Sequence, residues 1–304
     1  MRAISIGTRG SKLAVIQAEW LLTKLKETFP TLQASLIKIT TSGDRYSDTI
    51  LDHFAGQGIF VKELEKALLD KQIDLAVHSL KDLPTEVPER LVLAATTARL
   101  DPRDALVSKI GGLAELAPGS KIGTGSHRRA IQLHDLRPDL NICNIRGNID
   151  TRLRKVSSGE IDGIIVAAAA LIRLGWTDRI TEYLPTEHFT PAVGQGALGI
   201  EIRSEDKEIT PLVSAINDKS TWHCITAERA FLKTLGGGCR SPIAAIGTLS
   251  DNTLRLSGMV ASADGVHILR AVEESDALAA EESGKCLAEK MMEMGALKYI
   301  TISE

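Results

Sequence analysis

Short apolar runs alternate with amphipathic helical patterns along the first two thirds of the chain. Strands are predicted where a short run is apolar or alternates with polar residues, at residues 4–6, 35–40, 73–77, 91–96, 121–123, 141–145, 163–166 and 198–202. Helices are predicted where apolar side chains recur every three or four positions, over residues 11–29, 60–70 and 127–137. The alternation begins again after Asp101-Pro102-Arg103-Asp104, so we predict two doubly wound α/β domains.

The last third of the chain has a different pattern. A helix predicted over residues 220–235 precedes strands at 244–249, 254–260 and 266–271 and a helix from about 277 to 294, which is typical of a small α+β domain. The expected fold class is therefore α/β, with two doubly wound domains and a small C-terminal α+β domain. The predicted boundaries are 1–97 with 195–216 for domain 1, 98–194 for domain 2 and 217–304 for domain 3.

Two segments have sequences typical of moving parts of a protein. Residues 41–58 form a long, polar, glycine-containing connection without a clear period, which predicts a lid. Gly194-Gln195-Gly196 stands where the chain is expected to return to the first domain, so we interpret it as a hinge.

Composition excludes several classes of function. The 304 residues include 43% hydrophobic and 25% charged side chains, with a net charge of -3, so no global positive field favours nucleic acid or an anionic membrane. No apolar stretch predicts a secretion signal or a membrane span, and the four cysteines lack the spacings of a zinc site. We therefore expect a cytoplasmic protein without a metal. Because no apolar heptad seam is present, we expect a monomer.

One cysteine stands in an unusual setting, Gly236-Gly237-Gly238-Cys239-Arg240. Consecutive glycines suit a sharp turn or the close approach of a bulky group. Arg240 would favour the nucleophilic thiolate if its guanidinium lies near the sulfur. The alternative is that Gly236 ends a helix and Cys239 is an ordinary buried side chain.

Charged residues collect where strands end. Arg9 follows the first strand, and Lys81 and Asp82 follow the strand at 73–77. Further arginines at or shortly after strand ends are Arg128, Arg129, Arg146, Arg152 and Arg173. Because such ends share one edge of a doubly wound sheet, we predict a cleft that binds several carboxylates or phosphates. No Walker-type phosphate loop is present.

Seven ordered motifs make the chain resemble the porphobilinogen deaminase family, whose members are also called hydroxymethylbilane synthases. The motifs span nearly the whole sequence: Gly7-Thr8-Arg9 with Ser11-Lys12-Leu13-Ala14, Gly58-Ile59-Phe60-Val61-Lys62-Glu63-Leu64-Glu65, Ala76-Val77-His78-Ser79-Leu80-Lys81-Asp82-Leu83-Pro84, Asp101-Pro102-Arg103-Asp104-Ala105, Arg146-Gly147-Asn148, Pro191-Ala192-Val193-Gly194-Gln195-Gly196-Ala197 and Gly237-Gly238-Cys239.

The resemblance implies an enzyme that condenses four porphobilinogen molecules head to tail, with loss of ammonia, into hydroxymethylbilane. It implies three domains, of which the first two resemble the halves of a periplasmic binding protein around a cleft. It also implies a dipyrromethane cofactor, joined by a thioether to Cys239, that serves as a primer. Asp82 matches the family's catalytic aspartate. The residues expected to hold the carboxylates of cofactor and substrate are Arg9, Ser11, Lys81, Thr124, Ser126, Arg128, Arg129, Arg146, Arg152, Arg173 and Gln195.

Some positions depart from the commoner family pattern. Gln57 replaces a lysine of the lid, Gly125 and His127 replace Ser and Leu, and Arg240-Ser241 replaces Gln-Val. Two other classes of function stay open on the residues alone. A solute-binding protein for an acidic ligand would share the cleft but would need neither Cys239 nor a third domain. A thiol-dependent acyl transferase would require His223 or His78 to reach Cys239.

Overall fold

The structure is a computed structural model that describes residues 2–40, 61–236 and 241–300. The predicted lid at 41–58, Gln57, Cys239 and Arg240 lie outside these residues. The chain divides into two compact units, Met1–Leu100 with Ala197–Trp222 and Asp101–Gly196 with His223–Glu304. The boundaries proposed above for three domains stay a prediction.

The regular elements alternate as the sequence pattern predicts. The strands are β1 Ile4–Arg9, β2 Ala34–Ile39, β3 Leu75–Ser79, β4 Leu91–Thr96, β5 Asp104–Ser108, β6 Lys121–Thr124, β7 Asn141–Asn144, β8 Gly163–Ala167, β9 Glu182–Leu184, β10 Leu198–Arg203, β11 Ile243–Ser250, β12 Thr253–Ala261 and β13 Ile268–Asp276. The helices of the described residues are α1 Lys12–Thr28, α2 Lys62–Leu69, α3 His127–Leu136, α4 Ile149–Ser157, α5 Ala168–Arg173, α6 Ile209–Ser214, α7 Lys219–Leu235 and α8 Ala280–Glu293.

The first unit contains a five-stranded sheet in the order β2-β1-β3-β10-β4. β1 is parallel to β2 and β3, whereas β10 is antiparallel to β3 and β4. Leu21 and Leu25 of α1 pack with Val77 and Ile200 on one face, together with α6. Leu68 and its neighbours on α2 cover the other face. Burial on both faces explains why β3, in the middle of the sheet, begins with a continuous apolar run at residues 75–77.

The second unit repeats this arrangement in a sheet ordered β7-β6-β8-β5-β9. β6 is parallel to β7 and β8, and β5 is antiparallel to β8 and β9. In β5, Leu106 packs with Leu133 of α3 in one core, while Val107 packs with Leu153 of α4 in another. Adjacent residues of a strand point to opposite faces, so this sheet is also covered on both sides.

The same unit also contains an antiparallel three-stranded sheet, β11-β12-β13. Phe231 of α7 and Leu287 of α8 pack against Leu256 of β12. Gly284 of α8 lies so close to α7 that a Cβ there would stand 2.7 Å from the Cβ of Ala230. The predicted fold class, two doubly wound α/β domains and a small α+β domain, is confirmed.

Several elements differ from the prediction, among them α5 and α6, which were not predicted, and β13, which runs over Ile268–Asp276 rather than 266–271. β1 continues to Arg9 because it pairs with β2 as far as Ile39, and β3 extends to Ser79 because it pairs with β10 from Leu198 onward. β5 and β9 were not predicted. Each begins with a charged residue, Asp104 in β5 and Glu182 in β9, which obscures the apolar pattern.

Candidate active site

An open pocket with about 430 Å³ of empty space lies in the first unit. Its walls include Arg9, Ser11, Gln17, Ser79 and Asp82. These residues lie at the end of β1, in the first turns of α1 and at or just after the end of β3, so the structure brings Arg9 and Asp82 to one pocket within this unit.

The junction between β1 and α1 has a sequence-encoded cap. The Oγ of Ser11 accepts the amide N–H of Ala14 at 3.4 Å, as an N-cap does. The buried Thr8 hydroxyl donates to the carbonyl of Ala14 at 2.9 Å. Together these bonds hold the end of β1, and with it Arg9, against the first turn of the helix.

Asp82 ends a 3-10 turn, Leu80–Asp82, that follows β3 directly. Leu80 is buried, and its amide donates to the carbonyl of Ala197 at 3.1 Å. Leu83 is also buried and donates to the carbonyl of Leu80. The two leucines anchor the turn while the Asp82 side chain stays exposed at the pocket, with Lys81 half-buried beside it.

Gln17 and Ser79 form a polar pair at the pocket wall. Gln17 is 3% exposed, and its Nε2 donates to Ser79 Oγ at 2.9 Å. Gln17 was not among the predicted site residues, although the sequence contains a signal: it shares a helix face with Leu13 and Leu21, four positions away on either side. A glutamine on an apolar face needs a buried partner.

His78 is held by a buried carboxylate that the sequence analysis also missed. Its Nε2 lies 3.0 Å from Oε2 of Glu201 on the antiparallel neighbour β10, and both side chains are almost wholly buried. Burial, and then the charge of Glu201, raises the pKa of Glu65 on α2. Glu65, His78 and Glu201 therefore lie close together.

The second unit contains a buried carboxylate surrounded by cationic and amide donors. Asp104, the first residue of β5, is 0% exposed. Its Oδ2 accepts Nη2 of Arg128 at 2.8 Å. Its Oδ1 accepts Nε and Nη2 of Arg129 at 2.9 and 2.6 Å, and Nε2 of Gln195 at 2.9 Å. Four donors thus meet one side chain.

This cluster keeps its charges at neutral pH. Burial alone would raise the pKa of Asp104, but the guanidiniums of Arg128 and Arg129 hold it well below its usual range. Two positive groups and one negative group leave one surplus positive charge. Asp104 takes three of the N–H donors of this pair, and each guanidinium has five, so both arginines keep donors that do not point to it.

The neighbouring predicted residues cap or flank this cluster. Thr124 Oγ1 accepts the amide of Ser126 at 3.1 Å, and Ser126 Oγ accepts the amide of Arg129 at 3.4 Å, which starts α3. Nε of Arg152 donates to the carbonyl of Gly147 at 2.9 Å. Burial, and then the charge of Arg129, lowers the pKa of Arg152.

Arg173 and Arg146 complete the predicted set in this unit. Nη2 of Arg173 donates to the carbonyl of Gly196 at 2.7 Å, and burial lowers the pKa of Arg173 to about 10, so it remains cationic at neutral pH. Arg146 is half-buried just after β7. The structure thus joins Arg128, Arg129 and Gln195 directly through Asp104.

Two departures from the commoner pattern have visible settings. A Cβ at Gly125 would lie 2.7 Å from the carbonyl oxygen of Ile145, so a serine here would require the backbone to shift. His127 is exposed, and its Nε2 lies 2.8 Å from the carbonyl oxygen of Ala263.

No described helix is long and apolar enough to cross a membrane.

Comparison with known proteins identifies the same family along nearly the whole chain. The family model described as porphobilinogen deaminase, dipyromethane cofactor binding domain, matches residues 4–211, and the C-terminal domain model of the same family matches residues 222–293. A porphobilinogen deaminase of Alkaliphilus metalliredigens is 49% identical over 99% of this chain and 95% of its own length. That of Syntrophobacter fumaroxidans is 45% identical over 98% and 97%.

Among solved structures, a YaeC-family lipoprotein from Enterococcus faecalis matches with a TM-score of 0.43 and 13% identity, over 71% of this chain and 91% of its own. At this TM-score the likeness carries no argument about the chain. The family assignment rests on the two family models and the nearly full-length relatives, because together they cover both units. The chain belongs to the porphobilinogen deaminase family.

Proposed function

We propose that the chain condenses four porphobilinogen molecules head to tail, with release of ammonia, into the linear tetrapyrrole hydroxymethylbilane, a step of porphyrin and haem biosynthesis. Its relatives carry the name porphobilinogen deaminase. The observation that carries the proposal is the pocket of the first unit, where the exposed carboxylate of Asp82 and the guanidinium side chain of Arg9 line one cavity.

Asp82 is the catalytic residue in this proposal. Its carboxylate can accept the N–H groups of pyrrole rings and stabilise the positive charge that develops when ammonia leaves. A group that is preoriented for this charge lowers the barrier without reorganisation. The buried anchors on either side of the turn, Leu80 and Leu83, support this orientation.

The arginines bind carboxylates. Each porphobilinogen brings an acetate and a propionate, so a growing chain needs several cationic donors rather than a globally basic protein. Charge-assisted hydrogen bonds of this kind contribute about 1.5–3 kcal/mol each. The residues proposed for this role are Arg9, Ser11, Lys81, Thr124, Ser126, Arg128, Arg129, Arg146, Arg152, Arg173 and Gln195.

The dipyrromethane cofactor named in the family model fits this donor set. Its acetate and propionate groups require cations, and the second unit supplies the surplus charge around Asp104 together with the half-buried cations Arg152 and Arg173. Cys239 would hold the cofactor through its sulfur. When bound, the group supplies the pyrrole carbon that starts the chain, while the arginines bind its carboxylates and Asp82 orients the reacting rings.

We also propose that the enzyme works as a monomer in the cytoplasm. The sequence has no apolar heptad seam, which is compatible with a monomer. Light scattering of the purified holoenzyme measures the oligomeric state directly, and a dimeric mass would contradict the monomer.

Intact mass spectrometry of the wild type and of Cys239→Ser tests the function. We expect the wild type to carry an excess of two pyrrole units that the variant lacks. Brief exposure to porphobilinogen is expected to add single pyrrole units to the wild type alone. If no adduct forms even after incubation with porphobilinogen or preformed hydroxymethylbilane, the proposed function is wrong.

A further inference from the structure

The segment 194–196 is buried and hydrogen-bonded to the arginine cluster at two consecutive positions. Gln195 is 0% exposed and donates from Nε2 to Oδ1 of Asp104 at 2.9 Å. Arg173 donates to the carbonyl oxygen of Gly196 at 2.7 Å. The position of this segment therefore affects both the carboxylate that orients the arginine pair and the direction of a third arginine.

The remaining position of the segment is held by Glu228 of α7. Oε2 of Glu228 accepts the amide N–H of Gly194 at 2.7 Å, and Oε1 accepts the amide N–H of Gly247 in β11 at 2.8 Å. The side chain is 0% exposed. A Cβ at Gly247 would lie 3.0 Å from Cα of Cys224, so the glycine allows β11 to approach α7 closely.

Gly194 is suited to the same contact. Its φ of +75° lies in the left-handed region, which a residue with a side chain adopts only at a cost. Val193, just before it, packs against the core of the C-terminal sheet. The segment is thus joined to α7 by a hydrogen bond to a carboxylate, and the preceding residue packs against the core to which α7 contributes.

α7 connects this contact to the cofactor cysteine along the chain. Phe231 and Leu235 of α7 are buried in the same C-terminal core, so the helix is fixed in that domain. α7 ends at Leu235, four residues before Cys239. Glu228 therefore links the helix that leads to Cys239 with the segment that orients the arginines.

We propose that Glu228 is a positioning residue for the carboxylate-binding arginines. It acts through segment 194–196 and keeps Gln195, Asp104 and Arg173 in register with the helix that precedes Cys239. This inference rests on the proposed function. Because small misplacements at a binding site reduce rates strongly, loss of this link affects substrate use even in enzyme that carries its cofactor.

The test compares Glu228→Gln with Glu289→Gln, the same substitution at an exposed position of α8. The glutamine keeps one acceptor but presents an NH₂ group to one of the two amides. Activity is measured per mole of cofactor-loaded enzyme, which intact mass spectrometry counts. We expect kcat/KM of Glu228→Gln to fall about 10- to 100-fold, with faster amide hydrogen exchange in peptides containing residues 192–197. The control is expected to match the wild type.

A double-mutant cycle separates positioning from simple stabilisation. Gln195→Met removes the amide that contacts Asp104. If Glu228 acts through segment 194–196, the kcat/KM of the double variant is nearly that of the less active single variant. The reason is that the second substitution breaks a link that the first has already broken. If the two reductions multiply, the inference is wrong.

The outcomes distinguish this inference from the proposed function. An inactive wild type without pyrrole adducts would contradict the function itself. An active wild type together with loaded Glu228→Gln of unchanged kcat/KM would contradict only the positioning role. Should Glu228→Gln fail to fold, wild-type exchange resolved by NMR supplies the readout: we expect slow exchange at both Gly194 and Gly247, and fast exchange at Gly194 would overturn the inference.

Discussion

Replacement of Asp104 by asparagine removes the carboxylate that Arg128 and Arg129 share. Asparagine has nearly the same shape, but it is neutral, and its NH₂ group would face one of four donors that now lie 2.6–2.9 Å from carboxylate oxygens. The surplus charge of the buried cluster would rise from one to two. Loss of one partner from a buried ion pair costs about 3–5 kcal/mol, and we expect the free energy of unfolding to fall by this amount.

The pH dependence of this effect has a definite sign. Burial would raise the pKa of Asp104, but Arg128 and Arg129 lower it far below its usual value. An unfolded aspartate titrates near 3.9, so the stabilisation is fully present above that pH and is lost as the pH falls through the folded pKa. The difference between wild type and Asp104→Asn should therefore be the same near pH 7 and pH 5.

Urea unfolding followed by circular dichroism at both pH values measures this difference. Asp135→Asn is the matched control, since Asp135 pairs with Arg270 at 2.9 Å while both side chains are exposed. Exposed pairs contribute about 0–1 kcal/mol. A cost for Asp104→Asn no larger than the control's, or one that differs between pH 7 and pH 5, would refute this account of the cluster.

Three further substitutions test other parts of the molecule. Asp82→Asn is expected to leave the unfolding free energy unchanged, because the side chain is exposed, but to slow product formation by about 100-fold or more; an unimpaired rate would remove Asp82 from catalysis. Gly284→Ala would push a methyl group into the backbone of α7 and should cost about 1–3 kcal/mol in urea unfolding, whereas Gly10→Ala should cost little, because its new Cβ would meet no atom of the described residues within 4 Å beyond its chain neighbours. Glu201→Gln removes the charged partner of His78 and should lower the same free energy by about 1–3 kcal/mol; an unchanged value would contradict this.

Much of the fold could be predicted from the sequence because both α/β sheets are covered on two faces. Their central strands are largely apolar runs between segments of helical periodicity. Both patterns can be recognised in the sequence without knowledge of the tertiary structure. β5 is the instructive exception. Its first residue is the charged Asp104, and only the arginines brought by α3 make a carboxylate acceptable there.

The site could be predicted only in part for a related reason. Strand ends indicate where side chains collect, and Arg9 and Asp82, which both follow predicted strands, lie at one pocket. Residues that act by pairing, such as Asp104 and Glu228, are recognised only when their partners are known. Glu228 lies on a helix with apolar Ile225 and Phe231 nearby, so its position among apolar residues indicates in the sequence that it is buried. Nothing in the sequence indicates that it binds Gly194 and Gly247.

The position of β10 has a consequence for synthesis on the ribosome. This strand lies between β3 and β4, yet it is translated after the whole sheet that contains β5 to β9. Until it emerges, β3 and β4 have no common neighbour, and each keeps an open edge. We expect residues 101–196 to become protease-resistant first on stalled nascent chains, and the amino-terminal sheet to close only once residue 203 has been released. Early protection of β4 would contradict this order.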